Sequence, residues 1–271
     1  MLKFFKRSST LAFGMISAIF TFVPETCFEK YILLTNYSTE ANIVVNRIMT
    51  FIVVLVVSIL GNALYLHFRR NVHINGHNYS IHIKYGNLFK MRKCKKVIPF
   101  DECFTTSVGS RPCDINPDSI CGQYLKEHPI QDIKSLINDI QLHPAKNKSK
   151  YQSKECYTSG KLVPNGDDLL LAFAKLNEDG LGQFTREEYL ECLSVLWKEI
   201  DKYYGQMDVC IPILGSGVTR INGISLTQQE LLDLIIESYK LSTYKIKVPY
   251  KLYIICKKKD NFSLNRIGET L

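Results

Sequence analysis

The residues best suited to chemistry lie in one short stretch. Residues 211–220 read Ile-Pro-Ile-Leu-Gly-Ser-Gly-Val-Thr-Arg, an apolar run that breaks into a Gly-Ser-Gly loop. Glycines let the backbone approach a ligand closely and aim successive N–H groups at an anion. At the carboxyl end of a strand in an α/β sheet, such a loop is placed to hold a diphosphate. The spacing does not complete Gly-x-Gly-x-x-Gly, and no Gly-Lys-Ser/Thr follows, so neither the Rossmann fingerprint nor the P-loop is present. A tight strand-to-helix turn uses the same glycines, and the loop alone leaves both readings open. Arg220 serves a phosphate or a carboxylate equally well.

Other reactive-looking clusters are weaker. Asp101 and Glu102 could poise a water, but neighbours along a strand point to opposite faces. Residues 177–188 imitate a calcium loop, with Gly182 in the sixth place and Glu188 in the twelfth. Leu181 in the fifth place has no ligand oxygen, so a turn before a helix suffices. Nine cysteines include no Cys-x-x-Cys pair, which argues against zinc and a redox couple and for reduced, mostly buried thiols. The cluster Arg92, Lys93, Lys95 and Lys96 lacks the interleaved aromatics of a nucleic-acid groove and fits a solvated or lipid-facing surface. No Ser-His-Asp or Cys-His constellation is readable.

These candidates need a scaffold, and the flanking pattern supplies one. Residues 168–176 and 208–215 are near-continuous apolar runs, as expected of strands covered on both faces; 96–100 and 251–256 are shorter strands. Asn75-Gly76 between alternating apolar residues signals a hairpin. Thr185 with Glu188, and Thr227 with Glu230, are capping boxes opening amphipathic helices, and a further helix is predicted near 129–141. The lysine-rich stretch 144–155 reads as a solvated connection. Strands alternating with helices predict an α/β domain, three layers around a mixed sheet, over residues 71–271.

Residues 1–70 are different. Residues 8–24 and 48–68 contain no charged side chain, and at about 1.5 Å per residue the second run is long enough to cross a bilayer core of ~30 Å. A two-helix transmembrane hairpin is therefore expected, with the first run retained rather than cleaved as a signal peptide. Gly14 with Ala18, and Ser58 with Gly61, are small residues that would permit close helix packing. Lys3, Lys6 and Arg7 precede the first run and Arg69 and Arg70 follow the second, while two bases and three acids lie between, a net −1. The positive-inside rule places both termini in the cytoplasm. Of the chain's net +8, residues 1–70 carry half, seven bases against three acids, so the charge reads as topology.

Taken in order, Ile81-x-Ile83-x-Tyr-Gly-Asn-Leu-Phe89, residues 96–106, residues 119–124, residues 169–173 and the Gly-Ser-Gly loop resemble a macro domain, specifically the divergent macro domain of Thoeris antiphage-defence effectors. The resemblance covers roughly residues 79–256, and the two preceding spans match that branch. It implies an ADP-ribose-type ligand in a cleft at the strand ends. Where the family has Gly-Asp-Ile-Phe, this chain has Gly86-Asn87-Leu88-Phe89; Asn87 can accept the adenine amino hydrogen bond, without charge. Where the family has Pro-x-Asn and Phe-Asp-Thr, the chain reads Pro99-Phe100-Asp101 and Phe104-Thr105-Thr106, which alters the ribose contacts. Gly215, Ser216, Gly217 and Val218 are implied on the diphosphate through backbone N–H groups, with Thr219 and Arg220 nearby. The Asn-Ala-Ala-Asn segment of ADP-ribosyl hydrolases is missing at residues 98–102, which favours binding without turnover and without metal or cofactor. The resemblance implies a bacterial inner-membrane effector of antiviral immunity. A TIR-domain partner would make its signal from NAD, in this branch a histidine-linked ADP-ribose. Ligand-induced homo-oligomers would then disrupt the bilayer and kill the cell. The alternative is a membrane-tethered ADP-ribosyl hydrolase.

Overall fold

The structure, a computed structural model, describes residues 2–29, 38–111, 114–217, 219–259 and 261–267. It divides into two compact units, Met1–Arg69 and Arg70–Leu271.

In the first unit, α1 (Leu2–Phe22) and α3 (Thr39–Phe68) pack against each other, with a single turn, α2 (Thr26–Glu29), against α3. Ser38 caps α3 by accepting the Ala41 amide. The helices run antiparallel: Asn62 donates to the Ser8 hydroxyl at 2.9 Å, Phe13 meets Phe51, and Arg47 lies over Phe20. Ser8, Ala12 and Ile16, four residues apart, form the buried face of α1. Gly14 and Gly61 face open space, so the close packing expected of them falls to Ser8, Ala12 and Ser58 instead. Both predicted apolar runs are helical, yet α3 is the one helix among the described residues long and apolar enough to cross a membrane. The first run shares α1 with Lys6 and Arg7, which shortens its apolar length, so two spans are not established by the helices themselves.

The second unit begins with the hairpin β1 (Asn71–Gly76) and β2 (Tyr79–Tyr85). Its turn is His77–Asn78 rather than the expected Asn75–Gly76, with Asn78 at φ +62°. Gly76 leaves room for the Tyr79 ring, which would have to move for a Cβ at that position. There follow β3 (Cys94–Asp101), α4 (Ile120–Glu127), α5 (Ile133–Asp139), β4 (Leu162–Asn165), β5 (Asp168–Leu176), β6 (Gly182–Phe184), α6 (Arg186–Tyr203), β7 (Asp208–Pro212), β8 (Arg220–Ile221), α7 (Gln228–Leu241) and β9 (Leu252–Cys256). The sheet order is β1-β2-β9-β7-β3-β5-β6-β8, with β4 also paired to β5. The five strands β2, β9, β7, β3 and β5 are mutually parallel, and β1, β4 and β6 add antiparallel pairs. The sheet is mixed, as expected.

Alternation along β5 shows how the layers form. Leu169, Leu171 and Phe173 join a core with α6 and α7, while Leu170 and Ala172 join a smaller one with α4 and α5. Each such fully buried aliphatic or aromatic side chain is worth about 1.5–3 kcal/mol. Both capping boxes are present as predicted. The helix predicted near 129–141 is shorter, because Asp132 caps it by accepting the Lys134 and Ser135 amides.

Candidate functional site

Beyond β3 the chain passes through α4 and α5 on one face of the sheet to reach β5. Beyond β7 it passes through α7 on the other face to reach β9. The neighbours β3 and β7 therefore send their connections in opposite directions, and such a switch point leaves a crevice at the carboxyl ends of the strands. The ladder between them stops early, pairing only Cys94–Lys96 with Asp208–Cys210. Lys96 donates its amide toward the β5 side, at the Asp167 carbonyl. By strand alternation the nitrogen of Pro99 faces β7, where it has no hydrogen to offer. Pro99 can therefore add no ladder bond to β7 where the two strands part.

Three loops leave the carboxyl ends of the parallel strands on this side of the sheet. After β2, Gly86 donates to the Cys256 carbonyl and Asn87 caps a 3-10 turn, Leu88–Lys90, by accepting the Phe89 amide at 2.8 Å; that turn lies against β7. After β3, the Asp101 carboxylate accepts the amides of Cys103 and Thr105 at 2.9 and 3.0 Å. Burial pushes the Asp101 carboxyl above its usual range, against those donors and the Thr105 hydroxyl. After β7, the chain strides across the ends of β3 and β5 to pair as β8 with β6.

The third loop is polarised. Tyr189 donates its hydroxyl to the Leu214 carbonyl at 3.1 Å, the Lys259 ammonium to the Ser216 carbonyl at 3.2 Å, and the Ser216 hydroxyl to the Ile213 carbonyl at 2.8 Å. Its carbonyls are thus engaged by the chain, whereas the amides of Gly215 and Gly217 donate to no group among the described residues. Gly215 sits at φ +82°, a left-handed conformation that favours glycine. Gly217 has open space where a side chain would stand. Between them the Ser216 amide, predicted on the diphosphate, donates instead to the Ile213 carbonyl at 3.4 Å, so two unengaged amides flank an engaged one; unengaged loop amides favour an anion.

The predicted residues fall into two groups. Asn87, Phe89, Pro99, Thr106, Gly215, Ser216 and Gly217 border the three loops and keep some exposure. Leu88 and Phe100 are buried in the core below, and Asp101 is buried and holds its own loop. Thr219 and Arg220 are carried toward β6, Thr219 against Gly182 and Arg220 in register with Gln183. Arg220 is exposed and forms no ion pair among the described residues. Val218 lies outside the described residues. Sequence reasoning passed over Tyr189 and Lys259, which orient the loop from far away in the chain. It also treated Glu102 as Asp101's partner, although Glu102 binds Ser149 and the Leu176 amide instead.

Comparison with known proteins decides the family. The family described as Thoeris protein ThsA, Macro domain, matches residues 81–257, well over half of the chain. The chain belongs to the Thoeris ThsA macro-domain family. The match runs from within β2 to just past β9 and so takes in all five parallel strands and the three loops. The Thoeris protein ThsA of Bacillus amyloliquefaciens (strain Y2) is 28% identical over 269 residues, covering 96% of this chain and 88% of that protein. Among solved structures, the Oceanobacillus iheyensis macrodomain with ADP aligns at a TM-score of 0.45 and 9% identity, over 70% of this chain and 89% of that one. Thermosipho africanus DarTG in complex with ADP-ribose aligns at 0.43 and 12%, over 75% and 48%. In the ThsA macro family the second unit is a macro-like α/β domain on a mixed sheet.

Two clusters read as decoys have structural roles. Asn177 accepts the Asp179 and Leu181 amides, forming the turn before β6, and Glu188 closes the α6 capping box while pairing with Lys175. Lys95 and Lys96 reach Asp167 and Asp168 at the start of β5, which ties half of the basic cluster to the fold.

Proposed function

We propose that this protein is the membrane effector of a Thoeris antiphage system, in which the macro-like domain binds an ADP-ribose-type signal. The observation that carries the reading is the loop after β7, whose Leu214 and Ser216 carbonyls accept from Tyr189 and Lys259 while its Gly215 and Gly217 amides donate to no group among the described residues, at the parting of β3 and β7. The diphosphate would lie on those amides, at the strand ends, with Asn87 offering a second lone pair to the adenine amino group. The exposed Arg220 guanidinium, without a carboxylate partner among the described residues, is suited to a phosphate. By family resemblance the signal is a histidine-linked ADP-ribose made from NAD by a TIR-domain partner.

The first unit supports the membrane half of the reading. α3 is long enough, and its apolar residues face outward. With α1 as a second, shorter span, the hairpin would sit in the bacterial inner membrane with both termini cytoplasmic. Ligand binding would favour an assembled state that disrupts the bilayer; shifting such an equilibrium from 1:99 to 99:1 takes about a 10⁴-fold preference for that state. Binding rather than turnover is supported by Asp101 and Glu102, whose carboxylates are occupied by donors of the chain itself.

The test uses the full chain in nanodiscs, titrated with ADP-ribose by calorimetry. Gly217→Asp sets a negative charge into open space without straining the backbone. Like-charge juxtaposition costs several kcal/mol, so affinity is expected to fall more than ~100-fold with an unchanged Tm. Equal affinity of variant and wild type overturns the site, and catalytic release of free ADP-ribose from an ADP-ribosylated peptide overturns the binding-only reading.

A further inference from the structure

We propose that the macro-like unit carries a second small-molecule site, a cavity at the carboxyl end of β5 that takes a phosphate ester. The cavity measures about 510 Å3, within the range of about 300–1,000 Å3 typical of ligand pockets, and none of the thirteen residues predicted for the strand-end site lines it. Its walls are the loop between α5 and β4, the end of β5, β6 and the first turns of α6.

The walls are built rather than draped. Glu102, buried at the end of β3, accepts the Ser149 hydroxyl at 2.5 Å and the Leu176 amide at 3.1 Å. This fastens the lysine-rich loop, expected to be a solvated connection, onto the end of β5. Ala145 donates to the Cys156 carbonyl and Ser149 to the Lys154 carbonyl, closing the loop on itself. Ser159, also buried, belongs to the wall, and its hydroxyl has no hydrogen-bond partner among the described residues.

The groups left over are donors. Of the acids on the wall, Glu102 is taken by its two donors. Glu188 is taken by Lys175 and the Thr185 amide, both at 2.8 Å. Burial pushes the Glu188 carboxyl up, but these two partners outweigh it and hold the group below its usual range, so it stays charged and paired. Against the remaining Glu191 stand Lys146, Lys148 and Lys150, whose ammonium groups form no ion pair among the described residues. Ammonium groups serve as point charges for phosphate. A bare phosphate would leave most of the volume empty, so the occupant pairs its phosphate with a neutral polar body. The carboxamides of Gln183 and Asn177 can meet such a body.

The site is tested by calorimetric titration of full-length protein in nanodiscs with glucose 6-phosphate and, separately, inorganic phosphate. Lys148 and Lys150 are exposed, so Lys148→Glu/Lys150→Glu leaves the core untouched. The expected result is saturable binding of glucose 6-phosphate, weaker binding of inorganic phosphate, at least a ~30-fold loss in the double variant and none in Gly217→Asp. The proposal is overturned by no binding, by equal binding to all three proteins, or by binding that Gly217→Asp removes and the double variant keeps. That last pattern would put the anion in the strand-end crevice, so the two sites stand or fall separately.

Discussion

Beyond Arg70 the buried side chains are mostly Val97, Leu171, Trp197 and their like, whereas before it the polar Ser8, Asn42, Asn46, Ser58 and Asn62 are buried beside Ala12, Ile16 and Phe28, and Phe13, Ile52, Val53 and Val57 face outward. The two units thus differ in how much large apolar surface they leave exposed. In water, apolar area is driven inward. In lipid no such drive exists between helices, and on the proposed membrane reading of the first unit association would rest on packing and on polar contacts such as Ser8 with Asn62. Among the described residues, those buried before Arg69 carry no charge, the Arg47 Nε atom alone being enclosed there, while the second unit also buries the carboxylates of Asp101, Glu102, Glu199 and Asp233. A carboxylate can be kept where backbone amides and lysines converge on it, and Glu199 with Lys161 at 2.8 Å is such a case.

The most forceful way to break this contrast is to charge the outer face of α3. Val53 and Val57 lie one turn apart and are more than half exposed. An Asp near the centre of a spanning helix costs about 2.5–3.5 kcal/mol, so Val53→Asp/Val57→Asp together should cost ~5–7 kcal/mol of insertion. The variant is expected to lose flotation with lipid on a density gradient. The control is Leu190→Asp on the outer face of α6, where an exposed substitution should stay within about 0.5 kcal/mol. Continued flotation of the double variant would mean that α3 is not lipid-facing.

A smaller effect is expected at the seam. A double-mutant cycle of Ser8→Ala and Asn62→Leu, read by unfolding in bicelles, should return a coupling of about 0.6 kcal/mol and no more than ~1.7. Coupling near zero would mean that the Ser8–Asn62 contact adds nothing to the seam.

How much of this was legible beforehand followed from the range of the interactions. Residues 168–176 are β5 residue for residue, and Thr185 and Thr227 mark the starts of α6 and α7, because strand burial and capping are local. The strands β6 and β8 escaped notice, being three and two residues long and too short to show a period. Phe100 was placed on the ligand, yet its spacing of two from Ile98 already put both on one face, against α4. The crevice was half legible: Gly-Ser-Gly announced the loop, but which neighbour the Pro99 nitrogen faces needs the strand order. The lysine-lined cavity was not legible, since Glu102, Ser149 and Leu176 meet from three distant parts of the chain.

The subtlest consequence concerns Asp101, one of the carboxylates that the second unit buries. Burial raises its pKa in the folded state above the ordinary 3.8, so between the two values the folded chain binds more of this proton than the unfolded chain does. The associated stabilisation is fully present below the ordinary value and is lost as pH rises through the folded value. Asp101→Asn keeps an oxygen to accept the Cys103 and Thr105 amides and does not titrate. The Tm of the variant minus that of the wild type should therefore grow as pH climbs through this window and level off above it. Glu188, whose pKa is lowered, loses its contribution as pH falls, but it is common to both proteins and cancels in the difference. A Tm difference that stays flat or shrinks with rising pH would show that the donors around Asp101 outweigh its burial, and the carboxylate would then belong with the paired charges of the surface rather than with the core.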